Sequence, residues 1–189
     1  MQTSVSWGNG EIDRSRPLLP VEECPTFEIF FRLMPRIIEY ELHAHGWAVG
    51  ALTLANRRIE LDASYLHDTF GDLIEAMLAA CEGEQVVEWV YFHEPEATHA
   101  SLELVEGRSR ISLRRYPDLR VPRPRLGDPG ALIGEGEVNL WNLVSDVVIA
   151  GSRMLERHGE DGYLQSWRSP FPTAQLHRMK QLRCDAIIL

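Results

Sequence analysis

Three side chains that can bind a metal alternate along one short segment, at Glu41, His43 and His45. Side chains two apart in a β-strand lie on the same face of the sheet. A His-x-His pair beside a carboxylate can present two imidazoles and an oxygen to a metal ion. We therefore predict a candidate metal site here, to which His93 or His99 could add a ligand. The alternative interpretation is an ordinary polar strand face turned to solvent.

A second acidic group, Asp68 and Asp72, follows His67 at the start of a predicted helix. Residues four apart share a helix face, and paired carboxylates can perform acid–base chemistry. Acidic side chains are also favoured near a helix N-terminus by the helix dipole, and we prefer this structural interpretation. No Gly-x-Ser-x-Gly elbow is present, and the glycines at Gly134 and Gly136 do not continue into a phosphate-binding loop. We therefore expect no catalytic residue and no cofactor, although these absences do not exclude an enzyme.

The charge balance favours a binding function. The 189-residue chain has 28 acidic and 19 basic residues, with a net charge of −9 at pH 7. Such a field repels nucleic acid phosphates and attracts a basic protein. The carboxylates that we expect to contact this partner are Glu39, Glu41, Glu94 and Glu96. The large rings of Trp89 and Tyr91 would anchor the contact if they were exposed; the alternative is that they pack beneath the second predicted helix.

The elements that would position these residues form an α+β pattern. Apolar residues at spacings of three and four predict one amphipathic helix over Ser64–Glu82, capped by Asp62 or Ser64. Alternating runs on both sides of the helix predict strands, with a hairpin turn at Glu106-Gly107-Arg108. Short connections join antiparallel strands. We therefore predict a single antiparallel sheet of five or six strands, with this helix packed on one face and two further helices at the C-terminus.

Composition divides the chain into four segments. Residues 1–25 are rich in Gly, Pro, Ser and charge, which predicts poor order. Residues 26–116 form the predicted α+β core domain. Residues 117–136 contain four prolines and four glycines, which predicts a linker. Residues 137–189 are predicted to be a helical extension packed on the core. The helices predicted in it are Val138–His158 and Thr173–Arg183.

No sequence feature predicts a membrane contact or an oxidising compartment. A run of about 18 apolar residues is absent, so we expect no transmembrane helix. The N-terminal residues lack the basic start and apolar centre of a secretory signal. The three cysteines, Cys24, Cys81 and Cys184, lie far apart without zinc-type spacing, as is typical of reduced thiols. We therefore expect a cytoplasmic location.

The segment from Ala63 to Leu73 contains the motif Ser-Tyr-Leu-x-Asp-x-x-Gly-Asp-Leu, and Glu94-Pro95 follows about twenty residues later. On these motifs, residues 37–116 resemble a group of uncharacterised bacterial proteins, some of which are similar to immunity proteins of toxin systems. The resemblance implies an immunity-type inhibitor with a protein partner, and it transfers no catalytic residue. Together with the charge, it predicts a non-catalytic protein that occludes a basic toxin. The alternatives are a metal-dependent enzyme using the His-x-His strand and a homo-oligomeric structural protein.

Overall fold

The computed structural model describes residues 36–43, 46–117 and 130–188, with side chains as far as residue 183. The predicted poorly ordered segment, residues 1–25, lies outside these ranges. So do the start of the predicted core domain and residues 118–129 of the predicted linker. All statements below concern the described residues.

These residues form two antiparallel sheets, one of three strands and one of four. The three-stranded sheet has the order β1 (Ile38–Leu42), β2 (Ala48–Leu54) and β3 (Arg57–Glu60). The four-stranded sheet has the order β4 (Val86–His93), β5 (Glu96–Val105), β6 (Arg108–Tyr116) and β7 (Ala131–Val138). The α+β class and the antiparallel pairing are thus confirmed, and the prediction of a single sheet of five or six strands is wrong.

The division into two sheets follows from the crossing between β3 and β4. After β3 the chain stays extended, and the backbone of Leu61 still exchanges hydrogen bonds with Gly50 in β2. It then leaves β2: the Ser64 N–H donates to the Phe92 carbonyl of β4 at 2.7 Å. A helix follows before β4 begins, so β4 pairs only with β5 and starts a separate ladder. Strand patterns locate strands but do not show which strands pair across such a helix.

Strand β7 lies in the segment predicted to be a linker. Residues 131–136 belong to this strand, which pairs with β6 along its length. The glycines that suggest a linker have a packing reason instead. A Cβ on Gly134 would overlap the Ile59 Cδ1 of the other sheet, and one on Gly136 would lie 3.3 Å from the Leu54 Cβ. The bare backbone of β7 thus lets the two sheets approach closely.

Three helices cover the sheets: α1 (Thr69–Cys81), α2 (Leu140–Trp167) and α3 (Thr173–Ile188). Helix α1 begins after the predicted start, because its N-cap is Asp68 and not Asp62 or Ser64. The Asp68 Oδ1 accepts the Gly71 N–H at 2.9 Å. Within α2, the first helical segment ends as predicted at His158: Gly159, with φ 65° and ψ 177°, is not helical, and a second segment follows it across a kink.

The core lies between these layers. Helix α1 packs on β4, α2 packs on β1, and α3 packs against both other helices. Phe70, Leu73 and Met77 of α1 are fully buried, as are Trp89 and Tyr91 of β4. Both C-terminal helices thus contact other described elements of the fold. None of the described helices is long and apolar enough to cross a membrane.

Candidate functional site

Two of the carboxylates predicted to bind a partner are paired within the chain. Glu39 and Glu41 lie on the exposed face of β1. The Glu39 Oε2 lies 3.0 Å from the Arg58 Nη2, and the Arg157 Nη1 donates to the Glu41 Oε1. Their negative charge is thus balanced locally, which weakens the argument that they attract a basic partner.

The two predicted anchor rings, Trp89 and Tyr91, are buried. They lie in the core on the face of β4 that α1 covers. They therefore cannot contact a partner in this conformation. The alternative interpretation, that this face packs beneath a helix, describes the structure, although the covering helix is α1 and not the second helix of the sequence.

The predicted metal site is only partly described. Glu41 and His43 are exposed at the end of β1, and His45 lies outside the described residues. Within those residues, no group of three His, Cys, Asp or Glu side chains could hold a metal ion. His93 and His99 lie on the other sheet: His93 Nε2 is 2.8 Å from a threonine hydroxyl, and burial lowers the pKa of both histidines. The metal site remains an untested prediction.

Glu41 and His43 also line an open cavity of about 370 Å³ between β1 and α2. We call it the arginine cavity, because four arginines line it. The arginines are Arg36, Arg58, Arg153 and Arg157. Tyr40, Leu42, Ala150 and Met154 are the buried apolar residues among its lining. Arg153 and Arg157 are four apart on α2, so they project from one face of that helix.

A second candidate site lies where three segments meet. The turn before β2 passes so close to the segment before α1 that a Cβ on Gly46 would lie 2.7 Å from the Tyr65 Cβ. The same Cβ would lie 2.7 Å from the Ser166 carbonyl oxygen at the end of α2. The Arg168 guanidinium is 6.0 Å from the centre of the Tyr65 ring. These contacts bring Trp47, Tyr65 and Arg168 to one end of the molecule.

This end exposes large apolar groups. Trp47 is 39% exposed, Tyr65 43% and Leu66 56%. The His67 ring lies 4.9 Å from the ring of Phe92, so the end of β4 borders the same region. We define the Tyr65 surface as the exposed side chains of this region. Its members are Trp47, Asp62, Tyr65, Leu66, Glu94 and Arg168.

Two carboxylates lie in the segments that meet here, Asp62 three residues before Tyr65 and Glu94 two residues after Phe92. Asp62 and Glu94 are exposed, and neither makes an ion pair with another described residue. The predicted contact Glu96, by contrast, lies 3.6 Å from the Arg115 Nε. Of the four carboxylates predicted to bind a partner, Glu94 is therefore the one that the described residues leave unpaired.

Asp68 and Asp72 stand beneath this surface in structural roles. Besides capping α1, Asp68 accepts a hydrogen bond from the Tyr163 hydroxyl of α2. The Asp72 Oδ2 lies 2.5 Å from the His67 Nε2. Hydrogen bonding to Asp72 raises the pKa of His67 against the opposing effect of burial. Burial, and secondly Asp68, raise the pKa of Tyr163, so this phenol stays protonated and can donate. The arrangement fixes α2 to the start of α1, as the structural interpretation of these carboxylates expects.

The exposed apolar residues of this end are not apparent from the sequence. A helix from Ser64 would place Leu66 on its buried stripe, whereas the observed start at Thr69 leaves Leu66 in the preceding turn. The available signal was Asp68 as a better N-cap, with Gly71 placed to donate to it.

Comparisons of the chain with protein-family models, curated proteins and solved structures gave no match.

Proposed function

We propose that the protein is a non-catalytic binding protein that receives a basic protein partner on the Tyr65 surface. The observation that carries this proposal is the joint exposure of Trp47, Tyr65 and Leu66 where three segments converge. The few residues that dominate the binding energy at protein interfaces are enriched in tryptophan, tyrosine and arginine. A folded chain that groups such residues at its surface gains nothing from them unless something covers them.

Charge supports a basic partner. In this proposal the exposed carboxylates of Asp62 and Glu94 form the acidic rim of the surface, and the whole chain carries a net charge of −9. An acidic rim steers a basic protein during the encounter, and the apolar centre then holds it. Arg168 also lies in this region and carries a positive charge. Its guanidinium group stands over the Tyr65 ring in a cation–π contact.

The resemblance to immunity proteins suggests the class of partner. In this proposal the partner is a basic toxin, and the protein inhibits it by covering its working surface. The cytoplasmic location expected from the sequence belongs to the same proposal. No step of the mechanism requires the chain to make or break a bond.

Affinity capture from the native strain tests the proposal with paired variants. The test variant carries Tyr65→Ser and Leu66→Ser. The control is Val105→Ser, since Val105 is 60% exposed on the β5–β6 hairpin. We expect the wild-type chain and the control to retain one basic protein in stoichiometric amount, and the test variant to lose it.

Three results would contradict the proposal. They are recovery of no stoichiometric partner, recovery of an acidic one, and equal recovery by the test and control variants. If the chain recovers only further copies of itself, the homo-oligomeric alternative replaces the proposal.

A further inference from the structure

We propose that the arginine cavity is a binding site for a small, multiply charged oxyanion that carries phosphate or carboxylate groups. This site is separate from the Tyr65 surface, and the inference does not depend on the function proposed above. The argument rests on the charges that line the cavity, the donors that remain free there and the size of the space.

The lining of the cavity has the opposite charge to the chain as a whole. Four arginines line it, against the two glutamates Glu39 and Glu41, which leaves an excess of two positive charges in the lining itself. Two carboxylates outside the lining reduce this excess, because Glu60 also pairs with Arg58 and Asp146 interacts with Arg36. The whole chain carries a net charge of −9. A positive cluster in an acidic protein concentrates anions locally, because field lines focus in a cleft with low-dielectric walls.

Among the described residues, the ion pairs already present leave most of the donors free. A guanidinium group has five N–H donors in a planar fork. Arg58 uses its Nη2 on Glu39 and its Nη1 on Glu60, and Arg157 uses its Nη1 on Glu41. Arg153 is exposed and makes no ion pair with a described residue. The cavity thus retains guanidinium donors that an oxyanion can accept.

Backbone groups of β1 face the same space. The Ile37 carbonyl accepts a hydrogen bond from the Thr53 N–H of β2. Backbone groups of successive strand residues point to opposite sides, so the odd-numbered residues face β2. The even-numbered residues of β1 therefore direct their N–H and C=O groups away from β2. The N–H groups of Ile37 and Ile38 both donate to the Asp146 carboxylate, at 2.7 Å and 3.4 Å, which places α2 beside the start of β1. Tyr40 and Leu42, which line the cavity, therefore offer backbone N–H groups on the side of α2.

The geometry suits phosphate or carboxylate better than a cation. Arg36 precedes β1, Arg58 lies on β3, and Arg153 and Arg157 lie on α2, so the guanidinium groups come from three elements. Arginine binds both oxyanions through two parallel hydrogen bonds. A volume of about 370 Å³ is within the usual range for a small-molecule site. A metal bound at Glu41 and His43 would instead face these positive charges and the Arg157–Glu41 pair.

Calorimetric titration of the full-length chain tests the site. The probes are pyrophosphate and citrate, each at low and at physiological ionic strength. The test variant is Arg153→Gln. The control is Arg178→Gln, which removes the same charge from α3, where Arg178 lies 3.6 Å from Glu82 and does not line the cavity. Thermal melting without ligand establishes that both variants fold.

We expect saturable binding of at least one probe by the wild-type chain and the control, weakened about tenfold in Arg153→Gln, because one set of charge-assisted hydrogen bonds is lost. The stronger probe identifies phosphate or carboxylate as the recognised group. Failure of both probes to saturate at millimolar concentration would overturn the inference. So would equal weakening by Arg153→Gln and Arg178→Gln, since that result would show a response to total charge and not to this cavity.

Discussion

The Tyr65 surface and the arginine cavity carry opposite charges on one chain. At the Tyr65 surface, Asp62 and Glu94 are exposed without ion-pair partners among the described residues, beside exposed aromatic groups. At the arginine cavity, carboxylates are present too, but Arg58 and Arg157 pair with them, and Arg153 makes no ion pair with a described residue. The contrast shows that net charge does not locate an interface. Unpaired charges attract a partner, and paired ones contribute little.

The largest expected loss of stability comes from adding a side chain at Gly46, where the segments that form the Tyr65 surface approach each other closely. In Gly46→Ala, the new Cβ would press on Tyr65 and on the Ser166 carbonyl, at a position with φ 76°. We expect the free energy of unfolding to fall by about 3 kcal/mol. The matched control is Gly107→Ala, which has φ 77° but nothing within 4 Å, and should cost only about 1–2 kcal/mol. Urea denaturation of both variants measures the difference, and equal losses would show that the three segments do not meet as described.

A smaller effect is expected where α2 is fixed to the start of α1. Tyr163→Phe removes the hydroxyl that donates to Asp68, a hydrogen bond to a charged acceptor in a partly buried place. We expect a loss of about 1.5–3 kcal/mol. Tyr65→Phe, in which the changed side chain is exposed, should stay within about 0.5 kcal/mol. If chemical denaturation gave the same stability for both variants, the tie between the helices would not exist.

The pH dependence of stability tests the His67–Asp72 pair. Hydrogen bonding to Asp72 raises the pKa of His67 in the folded state. The pair therefore stabilises fully below the unfolded value of about 6.5, and its contribution is lost as the pH rises through the folded pKa. We expect less than about 1 kcal/mol, because the side chains are 35% and 37% exposed.

The measurement for this pair is the stability difference between wild type and His67→Gln. That difference should shrink as the pH rises above about 6.5, and this pH dependence should largely disappear when both proteins also carry Asp72→Asn. A difference that grew with pH would contradict the sign of the shift.

The smallest effect on stability should come from the ion pair at the arginine cavity, and it sharpens the comparison of the two regions. Glu39→Gln breaks an exposed contact with Arg58, so it should change the free energy of unfolding by no more than about 1 kcal/mol. It should nevertheless strengthen pyrophosphate or citrate binding, because it removes a competing carboxylate.

Glu94→Gln should leave that binding unchanged and slow association with the basic partner. Calorimetry and association kinetics would show this, and weaker anion binding by Glu39→Gln would contradict it.

The sequence predicted the local elements well because their signals are local. The hairpin at Glu106-Gly107 forms as expected, and both residues take positive φ. The linker prediction for residues 131–136 failed, because glycines that permit close packing of two sheets have the same composition as glycines in a loop. The predicted start of α1 was wrong for a similar reason, because Ser64 and Asp68 are both good N-caps. The Ser64 backbone N–H pairs with the Phe92 carbonyl of β4, and Asp68 caps the helix instead.

The candidate sites were less predictable than the fold. Alternation correctly placed Glu39 and Glu41 on an exposed face, but Arg157, which pairs with Glu41, is 116 positions away in sequence. No local pattern reveals a contact of that kind. The exposure of Trp47 and Tyr65 likewise depends on where the end of α2 lies, which only the tertiary structure shows.

Hydrogen–deuterium exchange of the chain, with and without its captured partner, tests the central claim most directly. The account predicts protection in the turn around Trp47, the segment 62–68 and the end of α2 around Arg168, with no change along β1 and residues 150–158 of α2. Protection confined to β1 and residues 150–158, with exchange around Tyr65 unaltered, would contradict it.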